Sequence, residues 1–400
     1  MAERRLRLGI AGLGRAFTVM LPTLARHPRL QVVAGADPRA DARERFAADF
    51  GARAYATVEE LCDDAAVEAV YVATPHQYHA EQACLAAAKR KHVLVEKPMA
   101  LTLPDCRAMI AAARAAGVQL VVGHSHSFDG PIRRAREIIA GGTVGRVRMI
   151  SAFNFTDFLY RPRRSEELRT ESGGGVLFNQ AMHQIDVVRL LGGGRVKSVR
   201  AATGSWDPAR PTEGAYTAFL TFEDGAFASV VYSGYAHFDS DEFCGWIGEL
   251  GRRKDPGGYG AARKLLQRAA TAGAELHLKN ARNYGGPEYA APDVSGADPE
   301  PPWHQHFGLV LVSCERADLR PLPTGVMIYE DLAQRLDPLP KPEVPRAEVI
   351  DELYDAAVSQ RPPVHSGAWA LATMEVCLAI LQSAREQKEI ALKHQAGLAG

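Results

Sequence analysis

The sequence predicts an α/β protein. An N-terminal Rossmann domain with a doubly wound parallel sheet should precede a C-terminal α+β domain built on a large, mostly antiparallel open sheet. Three observations lead there. Over residues 1–125 short β-branched runs alternate with alanine-rich helical stretches, the order that produces a parallel sheet with helices on both faces. The first run leads into a glycine-rich turn, Gly9-Ile10-Ala11-Gly12-Leu13-Gly14. Beyond residue 125 the runs lengthen, and Phe222-Glu223-Asp224-Gly225-Ala226 places Asp-Gly between two apolar stretches, a hairpin signal.

In the first domain, strands are expected at Leu6–Ala11, Leu30–Ala36, Ala69–Ala73, His92–Glu96 and Gln119–Gly123. Several are apolar at consecutive positions, as strands covered on both faces are. Pro104 near a helix start and Gly117 just past its end punctuate the helix before the last strand. In the second domain, residues 126–400, a helix over Pro131–Ala140 stops at Gly141-Gly142. Strands follow at Val147–Phe155, Val196–Thr203, Ala215–Phe222 and Ala226–Tyr232. Residues 251–303 are rich in Gly, Pro and Ala around one amphipathic piece, Ala261–Ala270, and read as a long excursion from the sheet domain. Excursions of this length are often functional, and a partly disordered insertion is the alternative. Strands resume at Leu309–Cys314 and Gly325–Tyr329, Asp337–Pro345 reads as a linker, and a helix over Gly367–Arg385 closes the domain.

Composition excludes several functions. Lys+Arg 47 balance Asp+Glu 47, whereas a nucleic-acid binder carries a basic excess. Zero net charge also favours burying surface in an oligomer. No apolar run approaches the roughly 20 residues that cross a bilayer, so no membrane partner is expected. The start, MAERRLRLGI, lacks the apolar region of a signal peptide. The six cysteines are scattered without a CxxC pair, which fits reduced core thiols in a cytoplasmic protein.

The glycine turn carries the first chemistry. Gly12 and Gly14 allow a tight turn and a close approach of the backbone to a pyrophosphate, with Arg15 and Ala16 opening the next helix, whose N-terminus favours the anion. Phe17 replaces the third glycine of the fingerprint. Asp37 ends the second strand about 20 residues downstream, where an acid receives the adenosine ribose hydroxyls of NAD. Arg39 is near enough in sequence to hold the 2′-phosphate of NADP, so both cofactors stay open.

Further segments are Ala73-Thr74-Pro75 followed by His79, then Glu96-Lys97-Pro98, then Gly173-Gly174-Gly175 followed by Asn179, His183 and Asp186. With the N-terminal glycines, these resemble the glucose–fructose oxidoreductase and inositol dehydrogenase family, Gfo/Idh/MocA. The resemblance implies an NAD- or NADP-dependent dehydrogenase with Lys97 as active-site lysine and His183 as catalytic histidine, and a homodimer or homotetramer formed through the open sheet face. Asn179 stands where many sugar-acting members have aspartate. The residues support this chemistry directly. Thr74, Pro75, Glu96 and Lys97 fall at the carboxyl ends of strands, where open α/β sheets bind ligands. A lysine there stabilises a developing alkoxide. A histidine titrates near working pH and suits proton removal. Asn179 and His183, four residues apart, would share one helix face.

His124-Ser125-His126-Ser127-Phe128-Asp129, Lys279–Gly286 and Val312–Arg320 look like segments of the phthalate 4,5-cis-dihydrodiol dehydrogenases of the same family. This implies NAD-dependent oxidation of a carboxylated cyclohexadiene cis-diol to a catechol. An anionic substrate needs cationic donors, and Arg161, Arg163, Arg164 and Arg169 are candidates, with His124 and His126 beside the strand end. The pairs His124/His126 and His304/His306 lack a partner at zinc spacing, so no metal is expected. Two alternatives remain: a sugar, inositol or glycoside dehydrogenase, and a non-catalytic NADP-binding scaffold. An intact Lys97 and His183 weigh against the scaffold.

Overall fold

The computed structural model describes residues 4–123, 125–269, 272–291 and 300–398. His124 lies outside them, so its expected substrate contact has no structural account. The chain divides into two compact units. The first unites Met1–His124 with His277–Pro299 and Val344–Leu371; the second comprises Ser125–Leu276, Glu300–Glu343 and Ala372–Gly400. Two later stretches thus join the residues expected to form the Rossmann domain. One of them, His277–Pro299, comes from the long excursion.

The first unit begins with β1 (Leu6–Ala11), α1 (Arg15–Arg26), β2 (Leu30–Ala36), α2 (Ala40–Phe50), β3 (Arg53–Tyr55) and α3 (Val58–Asp63). Then come β4 (Ala69–Val72), α4 (His79–Ala88), β5 (His92–Val95), α5 (Leu103–Ala116) and β6 (Leu120–Val122). The strands form one parallel sheet in the order β3-β2-β1-β4-β5-β6. Leu8, Ile10, Val70, Tyr71 and Leu94 are fully buried, because helices cover both faces. The order reverses between β1 and β4, and that switch point is where such sheets bind ligands. Pro104 lies in the first turn of α5, whose Thr102 cap hydroxyl accepts from the Asp105 N–H, and Gly117 ends it in the left-handed conformation.

The second unit contains α6 (Gly130–Ala140), β7 (Val147–Phe155), α7 (Met182–Leu191), β8 (Val196–Gly204), β9 (Ala215–Phe222), β10 (Phe227–Ser233) and α8 (Ala261–Gln267). The excursion continues into α9 (Ala272–Ala281), after which come β11 (Leu309–Cys314), β12 (Asp318–Leu322), β13 (Gly325–Tyr329) and β14 (Gln334–Pro338). In chain order there follow α10 (Ala347–Ala357), which belongs to the first unit, α11 (Gly367–Glu386), which begins in the first unit and ends in the second, and β15 (Ile390–Ala391). Nine strands form a sheet in the order β14-β13-β12-β11-β7-β10-β9-β8-β15. Among the described residues of this sheet, only β7 and β10 pair in parallel; the other neighbouring pairs are antiparallel. Helices α6 and α7 pack on this sheet, and every residue of α7 is buried.

By length and composition α11 is apolar enough to cross a bilayer, a feature the sequence reading did not single out, but 67% of that stretch is buried within the protein, as in a core helix.

Candidate active site

The β1–α1 turn is shaped by what glycine allows. Gly12 has φ +91°, and a Cβ there would lie 2.9 Å from Thr74 Cγ2 and 3.0 Å from the Ala73 carbonyl. Any side chain would therefore collide with the end of β4. A Cβ on Gly14 would meet nothing within 4 Å. Gly14 caps α1 without a side-chain hydrogen bond, which suits first-turn N–H groups that bind a phosphate. Arg15 is exposed and Ala16 half-buried at this helix start. Gly9 lies inside β1, where a Cβ would stand 3.0 Å from Leu61 and Val67; its role is to let α3 pack closely. The turn thus fits a dinucleotide pyrophosphate on a cradle that side chains would fill.

Asp37 is buried just beyond β2 and ties the turn down, since Leu13 N–H donates to its Oδ2 at 2.9 Å. Its other partner is Arg39. The Arg39 backbone N–H and Nε both donate to Asp37 Oδ1, at 2.9 and 3.0 Å, and Nη2 donates to Oδ2 at 3.2 Å. The two residues proposed to choose between cofactors therefore form one ion pair.

At the ends of β4 and β5, Thr74 Oγ1 donates to Gln82 at 2.6 Å. Pro75 begins a 3-10 turn over His76–Tyr78. His79 is fully buried, with Nδ1 2.8 Å from the Pro98 carbonyl and Nε2 2.9 Å from the Thr74 carbonyl. It splices the two loops together, and burial lowers its pKa. Tyr71, buried in β4, donates its hydroxyl to Glu96, and burial followed by the Glu96 charge pushes that phenol well up. Lys97 is half-buried directly after Glu96, before a cis bond to Pro98. The loop that carries the lysine is therefore held on both sides of Lys97, by Tyr71 at Glu96 and by His79 at the Pro98 carbonyl.

In the second unit the Gly173-Gly174-Gly175 turn precedes one π-helical turn, Leu177–Ala181, which runs into α7. A Cβ on Gly174 would lie 2.6 Å from the Glu167 carbonyl. Gly175 has φ +73° and stands against Glu213 and Thr212. Buried Glu213 accepts from the Thr170 and Thr212 hydroxyls and from Leu177 N–H, and burial raises its pKa. Asn179 sits in the π turn, its amide donating to the Gly175 carbonyl at 2.8 Å and the Gly173 carbonyl at 3.3 Å. The amide thus staples the glycine turn to the helix that carries His183.

His183 packs edge-on against His126, with ring centroids 4.8 Å apart, and lies 5.1 Å from the Phe307 ring. His126 in turn holds Asp129: Nδ1 and Oδ2 are 2.6 Å apart and both residues are buried. A carboxylate so placed fixes the tautomer and orientation of the imidazole. Sequence reasoning named His126 and His183 but missed Asp129, Phe307 and Glu213. Asp129 had a legible signal, since it lies three residues beyond His126 on the same short turn. Asp186, in the same motif, accepts from the Ser127 and Thr373 hydroxyls and braces α7.

The candidate arginines differ in what they touch. Arg161 is exposed and pairs with Asp157 at 3.2 Å. Arg164 lies 3.2 Å from Glu166 and 3.6 Å from Glu167. Arg163 stacks its guanidinium 3.6 Å over the Phe158 ring and donates to the Phe158 carbonyl at 2.6 Å. Burial pushes it down to about 10, so it remains cationic at neutral pH. Arg169 is exposed. Tyr232 is buried, its hydroxyl 2.8 Å from the Thr156 hydroxyl, and its ring stacks 6.0 Å from Phe307. Of the other HxH pair, His304 lies 2.8 Å from the Pro340 carbonyl and His306 2.7 Å from the Ile247 carbonyl; both brace loops.

Comparison with known proteins matches residues 6–124 to GFO_IDH_MocA, an oxidoreductase family with an NAD-binding Rossmann fold. Residues 132–252 match the GFO/IDH/MocA C-terminal domain. The protein is thus an NAD-binding oxidoreductase. It is 48% identical over 383 residues, 96% of either chain, to 1-carboxy-3-chloro-3,4-dihydroxycyclohexa-1,5-diene dehydrogenase of Comamonas testosteroni. A solved structure from Bordetella bronchiseptica RB50 superposes with a TM-score of 0.90 at 44% identity, covering 97% of this chain and 100% of that one. The WlbA dehydrogenase of Bordetella pertussis, solved with NADH and UDP-GlcNAcA, shares the fold at 22% identity with a TM-score of 0.66, covering 98% and 99%. The chain belongs to the Gfo/Idh/MocA family.

Proposed function

We propose that the protein oxidises a carboxylated cyclohexadiene cis-diol to a catechol with NAD. The observation that carries this reading is the 48% identity, across 96% of both chains, to a dehydrogenase named for a carboxylated dihydroxycyclohexadiene. Bound NAD+ supplies the hydride acceptor. His183 takes the proton of the reacting hydroxyl while Lys97 stabilises the negative charge that develops on its oxygen. The carbinol C–H bond breaks, its electron pair leaves as hydride, and the carbon–oxygen bond becomes a carbonyl. The hydroxydienone then tautomerises to an aromatic catechol, which makes the oxidation strongly downhill. Asn179 and the His126–Asp129 pair keep His183 in place. Arg163, with Arg161 and Arg164, receives the substrate carboxylate, for which a guanidinium fork is the natural partner. Asp37 receives the adenosine ribose.

Purified protein offered NAD with carboxylated cis-dihydrodiols of the benzoate and phthalate types, inositols and sugars should form reduced cofactor only with the dihydrodiols. Turnover confined to polyols overturns the substrate, and cofactor binding without any turnover favours a scaffold.

The partner proposed for the open sheet face is a second copy of this chain. Met149 (36% exposed), Phe227 (39%) and Phe219 (45%) lie side by side on β7, β10 and β9, an apolar patch of the kind that marks an interface. Sedimentation should report a dimer or tetramer that Phe219→Glu weakens; a wild-type monomer removes this reading. A cytoplasmic location accords with the six free cysteines.

A further inference from the structure

The excursion sends Tyr284 back to helices α1 and α2 of the first unit. The side chain is fully buried. Its ring stands edge-on to Phe17 with centroids 5.0 Å apart, and its hydroxyl donates to Asp49 at 2.7 Å. Gly285, at φ +79°, passes so close to α2 that a Cβ would lie 3.0 Å from the Ala42 backbone. Tyr289 packs against Tyr284 at 5.2 Å. This docking places the Tyr284 carbonyl where Arg39 Nη1 donates to it at 3.2 Å. The rest of the guanidinium is also engaged: Nε with Asp37, and Nη2 with both Asp37 and the Leu13 carbonyl, the last at 2.9 Å. These contacts occupy all but one of the five N–H donors of an arginine.

We propose that the segment around Tyr284 sets the choice of dinucleotide by holding Arg39 flat against Asp37. A 2′-phosphate needs a cation with free donors and must avoid a carboxylate. Arg39 so held offers neither its fork nor relief from the Asp37 charge, whereas a neutral ribose hydroxyl needs no such cation. Once the segment is released, Arg39 can turn outward and grip a phosphate. The inference rests on the proposed role of Asp37 in binding the adenosine ribose, and it concerns cofactor binding alone.

The test is titration of the full-length protein with NADH and with NADPH, followed by nicotinamide fluorescence. Tyr284→Ala removes the anchor. Gly285→Val pushes the segment off α2 without deleting a buried side chain, and so carries the test if Tyr284→Ala fails to fold. In each variant NADPH should tighten relative to NADH by about tenfold, the contribution of one charge-assisted hydrogen bond. Adding Arg39→Ala should abolish the gain, while Arg39→Ala alone should leave wild-type NADPH affinity within about twofold. An unchanged NADPH/NADH ratio in both release variants overturns the proposal, as does a tenfold NADPH loss from Arg39→Ala alone. A wild-type protein that prefers NADPH instead removes the underlying reading of Asp37.

Discussion

The most exacting test of the second unit is Gly175→Ala. Gly175 has φ +73°, in the left-handed region, where a non-glycine residue costs about 1–2 kcal/mol. The new methyl would also stand 2.5 Å from Glu213 Cδ and 2.6 Å from Thr212 Oγ1, and closer still to Glu213 Oε1. Glu213 is only 7% exposed and cannot yield without breaking its bonds to Thr170, Thr212 and Leu177 N–H. Overpacking of this kind adds about 1–3 kcal/mol. The total is about 2–5 kcal/mol. Gly193→Ala is the internal control: φ is +84°, but no atom lies within 4 Å of the new Cβ, so only the backbone cost applies. Urea unfolding followed by tryptophan fluorescence reads the difference, because Trp206, Trp246 and Trp303 all belong to the second unit. Gly175→Ala should unfold at clearly lower urea than Gly193→Ala. It should also turn over more slowly, since Asn179 hangs on the Gly175 carbonyl. Equal midpoints for the two variants would refute the reasoning.

Three other outcomes follow from the same structure. Lys97→Ala and His183→Ala should each lower kcat by about 10²- to 10⁴-fold with NADH affinity within a few-fold of wild type; near-normal turnover removes that residue from the chemistry. Asp129→Asn keeps the shape beside His126 but loses the charge across a 2.6 Å bond, and kcat should fall about tenfold; an unchanged kcat between pH 5 and 9, a window spanning about two units either side of neutrality, makes the pair a packing feature only. Burial alone would raise the pKa of Asp64, but bonds from Ala66 N–H, the Tyr55 hydroxyl and Arg53 outweigh it, and the net shift is downward from 3.8. Its contribution is therefore complete above that value and lost as pH falls through the lowered folded one. Asp64→Asn should cost about 1–3 kcal/mol at neutral pH, with the gap closing below about pH 3.8; a gap independent of pH contradicts this.

Much of the fold was legible because sheet burial writes itself into the chain. Leu6–Ala11 and Leu30–Ala36 coincide with β1 and β2, and Val147–Phe155 with β7. The elements that escaped are those with weak local signals. β3 has three residues and β15 two. β14 carries Gln, Arg and Asp on an exposed sheet edge, and its end was read as the start of a linker. α10 lies just past that proline-rich stretch. The site divides in the same way. The glycines announce themselves by their spacing within one turn, and so do Lys97 and His183 through their motifs. Phe307 lies more than a hundred residues from His183, and only the sheet brings it there.

One departure from the usual pattern turns out to explain another. The third glycine of a dinucleotide fingerprint lets the helix pack closely on the sheet, and here that position is Phe17. Its ring is completely buried, tilted against Phe46 and Phe50 at 6.0 and 6.2 Å and edge-on to Tyr284 at 5.0 Å. A phenylalanine at that place would leave apolar surface at the helix start unless something covered it. The covering residue is supplied by the excursion, 267 positions later in the chain. The imperfect fingerprint and the long glycine-rich excursion are two halves of one packed cluster, and the Tyr284 carbonyl of that cluster accepts from Arg39. It follows that Phe17→Gly, which would restore the standard fingerprint, should loosen the Tyr284 segment and shift the NADPH/NADH ratio in the direction of Tyr284→Ala. A Phe17→Gly protein that folds yet keeps the wild-type ratio would separate the two features again.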